Sequence, residues 1–381
     1  MADDRRIYMI GGVGSVGKLV AHGLRSLDDP PPITHLVHTE QLVKQWHGSR
    51  KVITLAKDGQ EVESSGYDME VMPEYKQGQQ HDNTRDQTTI HSLLVITKAA
   101  FTVPNLIRVA HRLTAESTVC FLQNGMGIVE EVDEKIFPDP KTRPNYMQGI
   151  ITHGMNTPAD ILARDPFYAV HGGQGAIYIA RLPRKPLSAQ EMNEQATHPN
   201  QLRQDTWPAS ARLILEALCA SSLLAGKGIT STELVQQQLT KLAVNSIINP
   251  LTALLDRPNG TLLENEAFLS TIHSMLSETS RVFAALPELS AVPSARERLG
   301  IESLEGAVRD VAKGTGHNIS SMLSDIRIGQ QTEIGYINGY IIRRGREVGI
   351  EAPANEAIMH LVVGKQEFLT QEMKAQKAGK L

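Results

Sequence analysis

Cysteine is scarce in this chain, with two residues in 381. Cys120 and Cys219 lie far apart, each in an apolar run, which excludes a disulfide-stapled scaffold. Both are expected as buried free thiols in a reducing compartment. No cysteine and histidine cluster has ligand spacing, so no metal site is expected. Long apolar runs are missing too. Nothing approaches the ~18 consecutive apolar residues of a membrane span, so no membrane association is expected. Nor is one sign of charge in excess: 38 Lys and Arg stand against 42 Asp and Glu, a formal net charge of -4. A nucleic-acid binder usually concentrates basic charge, so that class is set aside. The opening MADDRRIYMI lacks the apolar core of a secretory signal and the Arg/Ser-rich, acid-poor character of a transit peptide. A cytoplasmic protein is the default expectation.

Apolar residues are plentiful, at 41%, enough for more than one packed core. The length suggests two or three domains. Residues 6–10 of RRIYMIGGVGSVGKLVAHGLRSL suit a buried strand. Gly12, Val13, Gly14, Ser15, Val16 and Gly17 follow, then Leu19, Val20 and Leu24 at helical spacing. Strand, G-x-G-x-x-G and helix, in that order, describe a dinucleotide-binding turn. On this reading Gly12 permits the tight turn and Gly14 admits a pyrophosphate. Gly17 allows close helix packing, and the helix N-terminus offers amides to the phosphates. The second strand is expected at 33–38. An acidic residue at its end favours NAD, and a basic one favours the 2′-phosphate of NADP. His38 stands there, with Glu40, Lys44 and Arg50 beyond. A phosphate pocket of His38, Lys44 and Arg50 and an ordinary surface both remain open.

Residues 74–89 are polar without periodicity and read as a surface loop. Residues 90–104 read as a buried strand ending at Thr97-Lys98. Residues 117–132 read as a strand, the run Gln123-Asn124-Gly125-Met126-Gly127, and a helix. Both place a polar group past a strand's carboxyl end, the rim where open α/β sheets bind ligands. A solvated lysine and a plain Asn-Gly turn are the alternatives. Further strands are expected at 147–156 and 175–182, and a helix at 211–225. Residues 183–210, polar and proline-rich, read as an inserted loop without chemistry.

From about residue 232 the pattern is helical. In KLAVNSIINPLTALLDRPNG, Lys241, Asn245 and Asn249 recur every four residues and share one stripe of a helix. Leu242, Val244, Ile247 and Ile248 cover much of the rest. A solvated stripe draws on good helix formers, and asparagine is a poor one. The stripe therefore reads as the wall of a polar cavity. Pro250 is expected to end the regular hydrogen bonding near Asn249, and DRPNG to turn Asn259 back toward the same place. In NISSMLSDIRIGQQTEIGYINGYIIRR, Ile334, Ile337 and Ile341 form an apolar face, with Gly335 and Gly339 allowing close helix approach. Glu333 lies beside that face, where a partly buried carboxylate needs a cation. Ser320 and Ser321 also suit N-caps, and Asp325, Arg327, Arg343 and Arg344 read as surface charges.

These segments resemble the ketopantoate reductase (2-dehydropantoate 2-reductase) family. The likeness is carried by GGVGSVG, ITKA, QNGMG, KLAVNSIINPLTALLDRPNG and NISSMLSDIRIGQQTEIGYINGYIIRRGREVGI. It spans nearly the whole chain outside 74–89 and 183–210. The resemblance implies an α/β Rossmann-type dinucleotide-binding domain over residues 1–231. An all-α domain of the 6-phosphogluconate dehydrogenase C-terminal-like type follows over residues 232–381, with the active site in the cleft between them. It implies reduction of 2-dehydropantoate to (R)-pantoate with NADPH, in pantothenate biosynthesis. Lys241 then corresponds to the general acid, and Glu333 to a glutamate near the lysine and the cofactor ribose. Asn245, Asn249, Asn259 and Ser321 match substrate-binding positions. Gly12 to Gly17, Lys98, Asn124 and Met155 match positions that meet NADPH or NADP. Many family members carry arginine where His38 stands here. Monomer and homodimer are both compatible with the sequence.

Hydride delivery to a ketone carbon leaves charge on oxygen, which a positioned ammonium stabilises and protonates. Asparagine amides and a serine hydroxyl suit a carboxylate and hydroxyls. Two other readings stay open. One is a reductase of a different 2-keto acid. The other is a non-catalytic NADP(H) sensor, which would be expected to have lost Lys241 or Glu333.

Overall fold

The apolar run IYMI forms β1 (Ile7–Ile10), buried at all four positions, as a strand covered on both faces must be. The chain is seen in a computed structural model that describes residues 4–74, 88–155, 157–185, 187–197 and 206–377. After β1 come α1 (Ser15–Arg25), β2 (Ile33–Val37), α2 (Glu40–Gly48), β3 (Val52–Lys57), β4 (Gln60–Ser65), β5 (Tyr67–Val71) and β6 (Ser92–Val95). Then follow α3 (Thr102–Leu106), β7 (Thr118–Phe121), α4 (Ile128–Lys135), β8 (Asn145–Ile151), β9 (Gly154–Met155) and α5 (Ala159–Arg164). Next are β10 (Tyr168–Gly173), β11 (Ile177–Arg181), α6 (Ala189–Thr197), α7 (Ala209–Ala220) and β12 (Gly226–Gly228). Helices complete the chain: α8 (Ser231–Leu255), α9 (Glu266–Ala284), α10 (Pro293–Arg298), α11 (Ile301–Gly314), α12 (Ser321–Arg327), α13 (Asn338–Glu347) and α14 (Pro353–Lys377).

Over the described residues these elements gather into two units. The first comprises Met1–Asn124, Ile128–Pro186 and His198–Leu234, and the second Gly125–Gly127, Leu187–Thr197 and Val235–Leu381. In the first unit, eight strands run in the order β12-β11-β8-β7-β6-β1-β2-β5. Neighbours are parallel except β8 and β11. A second sheet has the order β4-β3-β10-β9. α1 lies against β3 and β10, and its fully buried Lys18 donates to the carbonyls of Pro166 (2.9 Å) and Tyr168 (2.7 Å). Around them Leu19, Val20, Ile33, Ile53 and Trp46 form the core; the Trp46 ring meets the Phe167 ring edge-on, 4.8 Å between centroids. The second unit has its own core, including Leu242, Ile247, Leu276, Phe283, Leu304, Leu323 and Ile341.

Mostly parallel sheet with helices, followed by helices alone, is the Rossmann-type plus all-α architecture expected. Several local expectations are corrected. Cys120 is buried but Cys219 is exposed, because it lies on the outer side of α7. Residues 183–210 are not simply a loop: Ala189–Thr197 is helical, started by Ser188 and Glu191 in a reciprocal cap, a capping box. Residues 186 and 198–205 of that stretch, and 75–87 of the loop expected at 74–89, lie outside the described residues. The strands β3, β4, β5 and β10 carry no expectation from sequence, although Asp58-Gly59, both at positive φ, is a two-residue hairpin turn between β3 and β4. Arg344 is not a surface charge. Its side chain retains 17% of its exposure and bonds Glu288 and Glu347 at 2.8 Å each.

Candidate active site

β1, β2, β6 and β7 end in one row: Ile10 pairs with Leu36 and Val95, and Val95 with Phe121. Whatever follows these strands therefore emerges at one rim. The chain leaves β1 toward β2 and returns to pair β6 on the other side of β1, which makes this rim the topological switch point. Gly11–Gly17 follows β1, His38 follows β2, Lys98 follows β6 and Asn124 follows β7. β6 stops at Val95, earlier than expected, because Lys98 already caps the 3-10 turn Ala99–Phe101. Gln123 Nε2 ties the two later loops together by donating to the Thr97 carbonyl (2.8 Å) and to Thr102 Oγ1.

The glycine loop differs from its expected division of labour. The positive φ belongs to Gly11 (+80°), not Gly12. A Cβ on Gly11 would also come within 2.5 Å of the Thr97 amide. Gly12 is required for another reason: its Cβ would lie 2.1 Å from His35 Nδ1. His35 is fully buried, with neither ring nitrogen hydrogen-bonded, and burial pushes its pKa down to about 4. Gly17 behaves as expected; a Cβ there would meet the Gly11 carbonyl oxygen at 2.2 Å. Gly14 is the N-cap of α1 and brings no side-chain cap, so the first-turn amides stay available to an anion. Val13 and Val16 pack partly on the core, and Ser15 Oγ lies 3.3 Å from Thr157 Oγ1. Lys98 and Asn124 are half-buried. Met155 lies on β9 opposite His171. His38 is exposed; Arg50 pairs with Glu63 at 2.6 Å and Lys44 with Glu40 at 3.8 Å.

In the second unit, α8 carries Lys241, Asn245 and Asn249 on one stripe. Leu242, Val244, Ile247 and Ile248 are buried as expected. Pro250 does not end the helix, which runs on to Leu255. A proline at 250 withholds the amide that would bond the Ser246 carbonyl. That carbonyl accepts instead from Asn338 Nδ2 at 3.0 Å. At the far end, Lys365 Nζ donates to the carbonyls of Ala253 (2.7 Å) and Leu254 (3.0 Å), a cation at a helix C-terminus. Asn249 is buried and Asn245 half-buried; neither side chain bonds another described residue.

Lys241 is half-buried as a whole. Burial around its ammonium pushes the pKa down from 10.5 to about 8, against the upward pull of the Glu333 carboxylate. Glu333 is itself buried and caps the 3-10 turn Ile334–Tyr336. The NISSMLSDIR…INGYIIRR stretch forms α12, this turn and α13. Gly335 has open space around it, and a Cβ on Gly339 would make only ordinary contacts, with the Met359 sulfur at 3.4 Å and the Ile334 carbonyl oxygen at 3.6 Å; neither is required for close helix approach. Tyr336 O accepts from the Met126 amide at 2.9 Å. Gly125, at φ +84°, lies so near Tyr336 that a Cβ would come within 2.7 Å of its Cβ. Asn259 is buried, and its Nδ2 donates to Thr315 Oγ1 at 2.9 Å. Ser320, not Ser321, caps α12, accepting from the Leu323 amide at 3.1 Å. Ser321 is the exposed first residue of that helix. Gly11 and Asn338 carried no expectation; the paired glycine in GGVGSVG was the available signal for the first. Among the described residues, no three His, Cys, Asp or Glu could hold a metal ion, and no helix is long and apolar enough to cross a membrane.

Residues 8–184 match the family model described as Ketopantoate reductase PanE/ApbA, and residues 233–366 match Ketopantoate reductase PanE/ApbA C terminal. The chain belongs to the ketopantoate reductase family. It is 31% identical over 275 residues to a probable 2-dehydropantoate 2-reductase of Schizosaccharomyces pombe, covering 72% of this chain and 73% of that one. A ketoisovalerate reductase of Beauveria bassiana is 25% identical over 388 residues, covering 91% of this chain and 80% of its own. The fold also matches a D-mandelate dehydrogenase, solved with NADH and anilino(oxo)acetate, at a TM-score of 0.67 and 19% identity over 95% of this chain and 99% of that one. As a ketopantoate reductase family member, the chain is an oxidoreductase.

Proposed function

We propose that the chain reduces 2-dehydropantoate to (R)-pantoate with NADPH, with Lys241 as the general acid. The observation that carries this reading is the Lys241–Glu333 pair beside an asparagine stripe. A buried carboxylate keeps a partly desolvated ammonium charged at neutral pH, beside two amides suited to a carboxylate and hydroxyls. The glycine loop fits a dinucleotide: its cap has no side chain, and the α1 amides are free to meet a pyrophosphate. Lys98, Asn124 and Met155 are assigned to the cofactor on the same reading, and Ser321 and Asn259 to the substrate. Asn259 would act through its carbonyl oxygen, which is buried without a hydrogen-bond partner among the described residues, while one hydrogen of its amide donates to Thr315. Bound NADPH supplies the hydride that reduces the substrate carbonyl carbon. Lys241 gives its proton to the oxygen of that carbonyl as negative charge gathers there, and regains one from solvent. Glu333 holds the lysine protonated before the transfer.

A second reading, reduction of a smaller branched 2-keto acid, is supported by the ketoisovalerate reductase likeness, which covers 91% of this chain. The two are separated by following loss of NADPH absorbance with 2-dehydropantoate, 2-ketoisovalerate and phenylglyoxylate, each also with NADH. The expected result is the highest kcat/KM with 2-dehydropantoate and NADPH. A preference for 2-ketoisovalerate would replace the substrate assignment, and a preference for NADH would replace the cofactor.

A further inference from the structure

α8 keeps its helical course through Pro250, where a helix interior normally kinks or breaks because a carbonyl loses its donor. The lost donor is replaced from outside the helix. Asn338, fully buried at the start of α13, donates one Nδ2 hydrogen to Ser246 O (3.0 Å) and the other to Asn355 Oδ1 (3.1 Å). Asn355, also fully buried, donates its own two amide hydrogens to Met275 O (3.0 Å) and Glu278 Oε2 (2.9 Å). Glu278 in turn accepts from the main-chain amides of Ala354 (2.8 Å) and Asn355 (3.0 Å). All four side-chain hydrogens are consumed, which fixes both amide orientations; turning Asn338 over would set its oxygen against the Ser246 carbonyl. Asn338 Oδ1 is left buried without a partner, so the arrangement is held for its donors. The chain anchors α8 to α9, α13 and α14 at the turn between Asn245 and Asn249.

We propose that Asn338 is a positioning residue: it supplies the hydrogen bond that Pro250 withholds, and so fixes the α8 stripe of Lys241, Asn245 and Asn249. The inference rests on the reductase reading above and adds a residue that acts through the helix backbone, not through the substrate. Pro250→Ala restores a main-chain donor to Ser246 O. The contribution of Asn338 to α8 is then redundant, and the two positions are energetically coupled.

The test is a double-mutant cycle of Asn338→Leu and Pro250→Ala, read by kcat, by NADPH affinity and by thermal unfolding. Asn338→Leu in the natural chain is expected to lower kcat about tenfold, the scale of a buried carbonyl left unpaired, with NADPH affinity within about twofold. In the Pro250→Ala background the same substitution is expected to lower kcat less than about threefold. Equal losses of kcat in both backgrounds overturn the proposal. So does coupling seen in unfolding alone with kcat unchanged, which would make Asn338 merely structural. Unfolding needs no substrate, so it separates the two readings. Coupling in unfolding with no keto-acid turnover by any folded variant, the natural chain included, overturns the reductase reading and, with it, the catalytic half of this inference.

Discussion

Lys241 is the side chain on which the proposed chemistry turns, and its ionisation makes a signed expectation. With its pKa near 8, the proton needed for transfer is present below that value and lost above it. The turnover number should hold through neutrality and fall as pH rises through about 8. Glu333 raises this pKa, so Glu333→Gln should move the falling limb to lower pH; a limb that stays in place would remove Glu333 from its role. The stripe was legible in the sequence because a four-residue spacing needs nothing beyond helix geometry. The fate of Pro250 was not, because the donor that replaces its amide stands 92 residues from the acceptor. The left-handed residue of the first turn was equally hidden: GG offers two candidates, and the choice of Gly11 depends on the Thr97 backbone packed against it.

At the level of elements, the glycine loop is set by close approach. A methyl on Gly17 would lie 2.2 Å from the Gly11 carbonyl oxygen and 2.6 Å from Gly12 Cα, both rigid backbone. Gly17→Ala should therefore push α1 away from β1, weaken NADPH binding by about tenfold or more and lower the melting temperature. Isothermal titration and a thermal scan check this; unchanged affinity would contradict the close-packing account. In the helical unit, Phe283 is fully buried in the core, and Phe283→Ala should cost about 3–5 kcal/mol in denaturant unfolding. Strands buried on both faces and helices with one apolar face were legible from periodicity. β4 was not: nearly every residue of QEVESS is exposed, so no alternation marks it, and only the Asp58-Gly59 turn announces the hairpin. α6 escaped for a similar reason, since its polar sequence hides everything but the Ser188–Glu191 cap.

For the whole molecule, the order of element types read from the sequence was enough to give the architecture, because a parallel sheet needs helical crossovers and the later chain offers only helices. The second sheet was beyond reach: it joins β3 to β10 across more than a hundred residues, a pairing that no local pattern encodes. Ligand linkage provides a check at this scale. If the first unit binds NADPH, saturation at about a hundredfold over the dissociation constant should stabilise the fold by about 2.7 kcal/mol. NADH at the same concentration should give a smaller rise in melting temperature. Equal rises would remove the preference for the 2′-phosphate that exposed His38 leaves in balance. The central claim, that the Lys241 ammonium protonates the reduced carbonyl, is tested most directly by Lys241→Ala with turnover and NADPH affinity measured on the same preparation. A loss of about 10²–10⁴ in kcat with nearly unchanged NADPH binding is expected. Turnover with 2-dehydropantoate close to that of the natural chain would contradict it.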